Sequence, residues 1–96
     1  MRELNIALIG CGNWGKNIAR NLHQMGSLAC IYDSDTKSSE KLNHEYMLPT
    51  FELNKIFEDQ NINAIAIASP AKTHRDLAVQ AIKNDKRIKY CFNWLW

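Results

Sequence analysis

Leu4-Asn5-Ile6-Ala7-Leu8-Ile9-Gly10-Cys11-Gly12-Asn13-Trp14-Gly15 is the stretch on which the reading of this chain turns. Ile6, Leu8 and Ile9 form a short apolar run that stops at Gly10, Gly12 and Gly15, and a helical pattern follows. A buried strand feeding a glycine-rich turn and then a helix is the sequence form of a dinucleotide-binding crevice. Each glycine has a physical purpose there. Gly10 permits the tight turn, Gly12 lets the backbone approach a pyrophosphate, and Gly15 lets the helix pack closely on the strand. The phosphates would rest on N–H groups at the positive end of the helix dipole. Glycine spacing alone is a weak signal, so the residues around it must supply the context.

Immediately downstream, Trp14, Ile18, Leu22 and Met25 recur at helical spacing, while Lys16, Asn17, Arg20 and Gln24 fall on the opposite side. The spacing predicts a helix over residues 13–25, with Asn13 as its N-cap and Gly26 as its stop. The backbone N–H of Trp14 would help form the phosphate site. Leu28 to Tyr32 reads as a second buried strand that ends at Asp33. An acid about 20 residues beyond the glycine turn is where a carboxylate can accept hydrogen bonds from the adenosine ribose hydroxyls. The same carboxylate repels a 2′-phosphate, which favours NAD over NADP, although Lys37 nearby weakens that preference. The alternative is that Asp33 only caps the helix that follows.

That helix is expected over residues 36–46, poorly apolar and anchored by Leu42 and Tyr46. Leu48-Pro49-Thr50 reads as a short third strand at a sheet edge, where Pro is tolerated. Thr50 then caps a brief helix with Leu53, Ile56 and Phe57 inward, and Glu58 to Asn61 form a polar turn. Ile62 to Ala68 is the next strong strand, nearly free of polar residues, as in a parallel sheet covered on both faces. After Ser69-Pro70, a helix is predicted from Thr73, with Thr73 and Asp76 as a capping box and Leu77, Ala78, Ala81 and Ile82 buried. Alternating strands and helices with short connections define an α/β fold, a Rossmann-like doubly wound parallel sheet of four to five strands.

Composition narrows the function classes. Ninety-six residues with a net charge of +2 fit one small globular domain and give no case for nucleic acid. No apolar run approaches the roughly 20 residues of a membrane span, and the N-terminus lacks a signal-peptide pattern, so a cytoplasmic location is expected. The three cysteines, Cys11, Cys30 and Cys91, form no C-x-x-C pair and suggest neither a disulfide framework nor a zinc site. His23 and His44 read as solvated surface residues. Lys83, Lys86, Arg87 and Lys89 read as a solvated helix end.

Gly10-Cys11-Gly12-Asn13-Trp14-Gly15, Ile31-Tyr32-Asp33-Ser34-Asp35 and the run from Ala66 to Ile82 together resemble the N-terminal domain of the Gfo/Idh/MocA oxidoreductases. The Trp in the glycine turn and the Ser69-Pro70-x-x-Thr73-His74 segment, in this order, make the combination specific. The resemblance covers about residues 5–86. It implies hydride transfer between a nicotinamide cofactor and a sugar, polyol or related substrate. It also implies that the glycine turn holds the pyrophosphate and Asp33 the ribose, with Ser69, Pro70 and His74 along the nicotinamide half.

The match stops after Lys86, where the family continues into a strand ending in Glu-Lys-Pro and then a large substrate domain. Here the sequence is Arg87 to Trp96, without Glu-Lys-Pro. Residues 1–86 are therefore expected to form the dinucleotide-binding domain, and residues 87–96 an atypical tail or a fifth strand through Ile88, Tyr90 and Phe92. No residue is assigned to catalysis, and Lys89 does not inherit the family's catalytic lysine. The expectation is a truncated or frame-shifted product that binds cofactor without turnover, with a sugar-like substrate only in a full-length form. Two other classes stay open: a nucleotide-sensing module that regulates a partner, and a methyltransferase using S-adenosylmethionine. The spacing fits the latter less well.

Overall fold

The computed structural model describes residues 4–10, 12–68, 71–84 and 86–91, without the side chains of residues 13–14, 71–74 and 87–91. The elements follow in the order β1 (Ile6–Ile9), α1 (Asn13–Gln24), β2 (Leu28–Tyr32), α2 (Thr36–Glu45), α3 (Leu53–Glu58), β3 (Ala64–Ile67), α4 (Ala71–Lys83) and β4 (Arg87–Cys91). The strands form one parallel sheet in the order β2-β1-β3-β4. The chain moves from β1 outward to β2, then crosses to the other side of β1 to begin β3. That reversal defines a switch point between β1 and β3, the mark of a doubly wound Rossmann-like sheet.

Alternation along the strands sorts the core into two layers. Ile6 and Leu8 of β1 and Ala64 and Ala66 of β3 face one side, where Ile18, Ala19 and Leu22 of α1 and Leu42 of α2 cover them. Ala7 and Ile9, with Ile65 and Ile67, face the other side, under Ile56 and Phe57 of α3 and Leu77 and Ala81 of α4. The small β3 residues lie on the α1 side and the isoleucines on the α3/α4 side, so the two helical layers meet surfaces of different depth. Full burial of a side chain such as Leu22 or Ile65 contributes about 1.5–3 kcal/mol.

Helix α1 ends as its sequence dictates. Gly26 has φ 72, its N–H donates to the His23 carbonyl at 3.0 Å, and the Ser27 N–H donates to the Leu22 carbonyl at 3.0 Å. This is a Schellman closure, which needs a left-handed residue where Gly26 stands. Several expected details differ. The N-cap of α1 is Gly12 rather than Asn13. Met25, expected on the buried stripe, is 63% exposed, because the helix has already ended at Gln24. Helix α3 is capped by Glu52 rather than Thr50. Helix α4 begins at Ala71, so Thr73 lies inside its first turn and is not a cap. Ala71 and Lys72 are good helix formers that extend the helix backward past it. Ile82 is 64% exposed while Leu77 and Ala81 are buried.

The largest departure is at residues 48–50, which form no strand. The Tyr32 carbonyl accepts the Gly10 N–H at 2.7 Å and so faces β1. Its neighbour Ile31 presents its N–H and C=O to the outer edge, because alternate residues of a strand face opposite neighbours. Asn43 of α2 takes both: its Oδ1 accepts the Ile31 N–H at 2.9 Å and its Nδ2 donates to the Ile31 carbonyl at 2.8 Å. One side-chain amide thus replaces the bonds a third strand would make at this residue. The chain leaving α2 turns through Met47, at φ 58, and the Leu48 N–H closes on the Asn43 carbonyl at 2.7 Å. Leu48 packs against the α1-side core, and Pro49, without an N–H, cannot extend a ladder.

Lys86 also departs from expectation. It is buried, and its ammonium donates to the Asp59 carbonyl at 2.6 Å, at the C-terminus of α3 where the helix dipole favours a cation. His23 and His44 are exposed, and the His23 ring stacks on Tyr46 at 4.5 Å between centroids. Cys30 lies fully buried in the α3/α4-side layer, where desolvation and then the Asp59 carboxylate push its thiol up to about 12. Among the described residues no helix is long and apolar enough to cross a membrane.

Candidate functional site

The carboxyl ends of β1, β2 and β3 lie side by side. Ile9 pairs in register with Tyr32 on one side and Ile67 on the other. Two hydrogen bonds carry this alignment past the strands: Gly10 N–H to the Tyr32 carbonyl at 2.7 Å, and Ala68 N–H to the Ile9 carbonyl at 2.8 Å. Gly10, Asp33 and Ala68 therefore follow adjacent strands at one edge of the sheet, around the switch point. In open α/β sheets this crevice is where ligands bind.

Within the turn, the glycines differ in what they need. Gly10 is buried at φ 101, a conformation that a side chain strains. Gly15 is buried in the first turn of α1 over the sheet. Gly12 has an ordinary φ of −70 and is exposed, and a Cβ built on it meets no atom within 4 Å. Among the described residues, neither strain nor crowding requires glycine at that position. A site whose backbone must be approached closely by a ligand does require it.

As the N-cap of α1, Gly12 brings no side-chain acceptor to the helix's first N–H groups. The amides of Asn13, Trp14 and Gly15 are among those that no helical carbonyl can satisfy. Helix α1 also carries no acid in its first turn, so its positive end is not offset locally. Backbone N–H groups at a helix start of this kind can receive an anion. The side chains of Asn13 and Trp14 lie outside the described residues.

Asp33 follows β2 directly and is half-buried. Its Oδ1 accepts the Asp35 N–H at 2.8 Å, and the carboxylate of Asp35 accepts the Ser38 hydroxyl at 2.9 Å. The N-cap of α2 is Asp35, so Asp33 braces the loop ahead of the helix and does not cap it. Ser69 and Pro70 lie outside the described residues. His74 is placed in the first turn of α4, which starts at the same edge of the sheet, and its side chain is outside the described part. The structure thus brings Gly10, Gly12, Gly15, Asp33 and the backbone of His74 to the carboxyl end of the sheet.

Asn43 was not identified from sequence, although it holds the strand that delivers Asp33. The signal was present: Ser39, Leu42 and Asn43 share the inward face of α2, and all three are buried. A polar residue on a buried helix face implies a hydrogen-bonding partner inside.

A parallel sheet with this strand order, a glycine turn opening α1 and an acid ending β2 define the class of dinucleotide-binding Rossmann domains. Residues 4–90 match the model of the Gfo/Idh/MocA oxidoreductase family with its NAD-binding Rossmann fold, and the chain belongs to that family. It is 28% identical over 91 residues to scyllo-inositol 2-dehydrogenase (NAD(+)) of Bacillus subtilis, covering 90% of this chain and 27% of that protein. It is 29% identical over 83 residues to the redox-sensing transcriptional repressor Rex of Carboxydothermus hydrogenoformans, covering 82% of this chain and 40% of that one. Among solved structures, GenD2 from gentamicin A biosynthesis, in complex with NAD, superposes with a TM-score of 0.82 at 23% identity, over 92% of this chain and 26% of that one. The chain spans about a quarter of the length of the dehydrogenases it matches.

Proposed function

We propose that this chain binds NAD at the carboxyl edge of the sheet and serves as the cofactor domain of an oxidoreductase acting on a sugar, polyol or related substrate. In this reading the backbone of Gly10, Gly12, Asn13, Trp14 and Gly15 surrounds the pyrophosphate. Asp33 accepts hydrogen bonds from the adenosine ribose hydroxyls, and Ser69, Pro70 and His74 lie along the nicotinamide half. The observation that carries the proposal is Gly12, whose missing side chain leaves space at the N-terminus of α1 that no described residue fills. Asp33, delivered by the neighbouring strand, adds a carboxylate at the same edge.

When bound, NAD supplies a hydride acceptor at its nicotinamide ring. The chain's own contribution is to bind and orient: α1 neutralises the pyrophosphate, and Asp33 selects the ribose with a free 2′-hydroxyl over one carrying a 2′-phosphate. The roles proposed for this chain's residues are those of holding and orienting the cofactor. Calorimetric titration with NAD and NADP separately tests the reading. Saturable binding with NAD tighter is expected, and Asp33→Ser should erase the preference by weakening NAD and relieving the repulsion of NADP. Equal affinities in the unsubstituted chain, or no change on replacing Asp33, would remove the role given to that carboxylate.

Similarity to Rex favours a second reading, a nucleotide-sensing module that regulates a partner. The cofactor contacts given to the glycine turn and Asp33 would serve a sensor as well as an oxidoreductase. Capture of a defined partner protein only in the presence of NAD, or only in its absence, would support it over the oxidoreductase reading.

A further inference from the structure

Between helices α1 and α2 lies an open groove of about 430 Å³. Lys16 and Arg20 line it from α1 and Lys41 from α2, and Glu45 is the one carboxylate in the lining. Leu42 and Tyr46 also border the groove, and both are withdrawn from solvent relative to the exposed charges around them. Tyr46 is held from behind by its ring contact with His23.

The groove carries a net positive charge, three exposed cations against Glu45, which stands four residues beyond Lys41 on α2. Lys16 and Arg20 are like charges four residues apart on one helix, a spacing that brings their side chains together. Lys16 also lies at the start of α1, where the dipole already disfavours a cation. Helix α1 contains no Asp or Glu to offset either effect, and Lys41 adds a third cation from across the groove. Such convergence is relieved by an anion that enters between the helices. The volume exceeds that of a bare inorganic ion and falls within the range of small-molecule sites. Cations beside Leu42 and a braced aromatic ring suit a ligand with both an anionic group and a carbon skeleton.

We propose that the α1/α2 groove is a second ligand site, separate from the glycine turn, that takes a phosphorylated small molecule such as a sugar phosphate. The phosphate sits between Arg20, Lys41 and Lys16, and the ring of the ligand lies against Tyr46. The proposal does not depend on the cofactor reading, because none of these side chains belongs to the glycine turn or to Asp33.

Glucose 6-phosphate, with glucose and inorganic phosphate as controls, is titrated into the full chain by calorimetry, with and without saturating NAD. Saturable binding of glucose 6-phosphate that persists with NAD present is expected, with inorganic phosphate weaker and glucose not bound. The double variant R20A/K41A should lose at least tenfold in affinity while its circular dichroism spectrum and NAD affinity stay unchanged. Gly12→Ala should leave glucose 6-phosphate binding intact. The proposal is overturned if no saturable binding occurs, if R20A/K41A binds as well as the unsubstituted chain, or if binding disappears with Gly12→Ala or under saturating NAD. The last two outcomes would assign the phosphate to the glycine turn. Failure of NAD binding in the same preparation would count against the cofactor reading alone.

Discussion

Replacing Gly12 and Gly10 by alanine, one at a time, separates what the glycine turn does for folding from what it does for a ligand. At Gly12 the backbone is already in a region open to alanine, and the added methyl meets nothing within 4 Å. Alanine is a poorer N-cap than glycine by about 0.5–1 kcal/mol. Loss of glycine's freedom in the unfolded chain offsets this by about 0.4–1 kcal/mol. The two effects nearly cancel, so Gly12→Ala should change stability by no more than about 0.5 kcal/mol, or about 2–4 °C in Tm for a domain of this size. The same methyl stands in the space assigned to the pyrophosphate. A tenfold loss in NAD affinity corresponds to about 1.4 kcal/mol, and at least that much is expected.

Gly10 should behave in the opposite sense. At φ 101 in a buried turn, alanine costs about 1–3 kcal/mol in backbone strain, so Gly10→Ala should melt several degrees lower. Urea denaturation and calorimetric titration of both variants read the two quantities independently. A Gly12→Ala chain that binds NAD as tightly as the original would refute the pyrophosphate assignment. One that loses more than about 2 kcal/mol of stability would refute the claim that the chain itself has no need of glycine there.

Two further outcomes follow from the core. Asn43→Ala removes both bonds to Ile31 and leaves a buried N–H and C=O at the edge of β2, so a loss of about 2–4 kcal/mol in urea denaturation is expected. A loss under 1 kcal/mol would mean that the chain after α2 can re-pair that edge as a strand. Burial, reinforced by the Asp59 carboxylate, raises the Cys30 thiol from 9.0 to about 12, so the folded state retains the proton that the unfolded chain releases. The stability this contributes is complete below pH about 9 and falls as pH rises toward 12, by about 1.4 kcal/mol per unit. Cys30→Ala should flatten the alkaline decline relative to the original chain, and parallel stability–pH curves would contradict the assignment.

Most of the architecture was legible because its causes are local. A run of apolar residues ended by glycine, three to four residue periodicity in α1, and the nearly all-apolar stretch before Ser69 each state an element without reference to the rest of the chain. The missing strand was not legible in that way. Leu48-Pro49-Thr50 has the composition of an edge strand, but whether an edge needs one depends on what already occupies it. Asn43, five residues earlier on a helix, satisfies Ile31, and only packing of α2 on β2 brings the two together. Lys86 and Ile82 illustrate the same limit. A lysine expected in solvent is buried because the C-terminus of α3, distant in sequence, offers it a carbonyl. An isoleucine expected inside is exposed because α4 lays Leu77 and Ala81, and not Ile82, onto the core.

The candidate site divides along the same line. Sequence alone determined which residues have the chemistry for a dinucleotide: glycines that free the backbone, and a carboxylate at the end of the next strand. Those requirements are stereochemical and electrostatic properties of single residues at set spacings, so they are written directly in the chain. Tertiary structure decided that the turn, Asp33 and the start of α4 meet at one sheet edge, because parallel pairing of β1 with β2 and β3 aligns their carboxyl ends. It also decided which glycine stands in a conformation that needs it, Gly10 at φ 101, and which has no described atom within 4 Å of an added Cβ, Gly12. Gly10 and Gly12 are the same residue in sequence; the buried left-handed turn around one and the open space beside the other exist only once the helix is laid on the sheet.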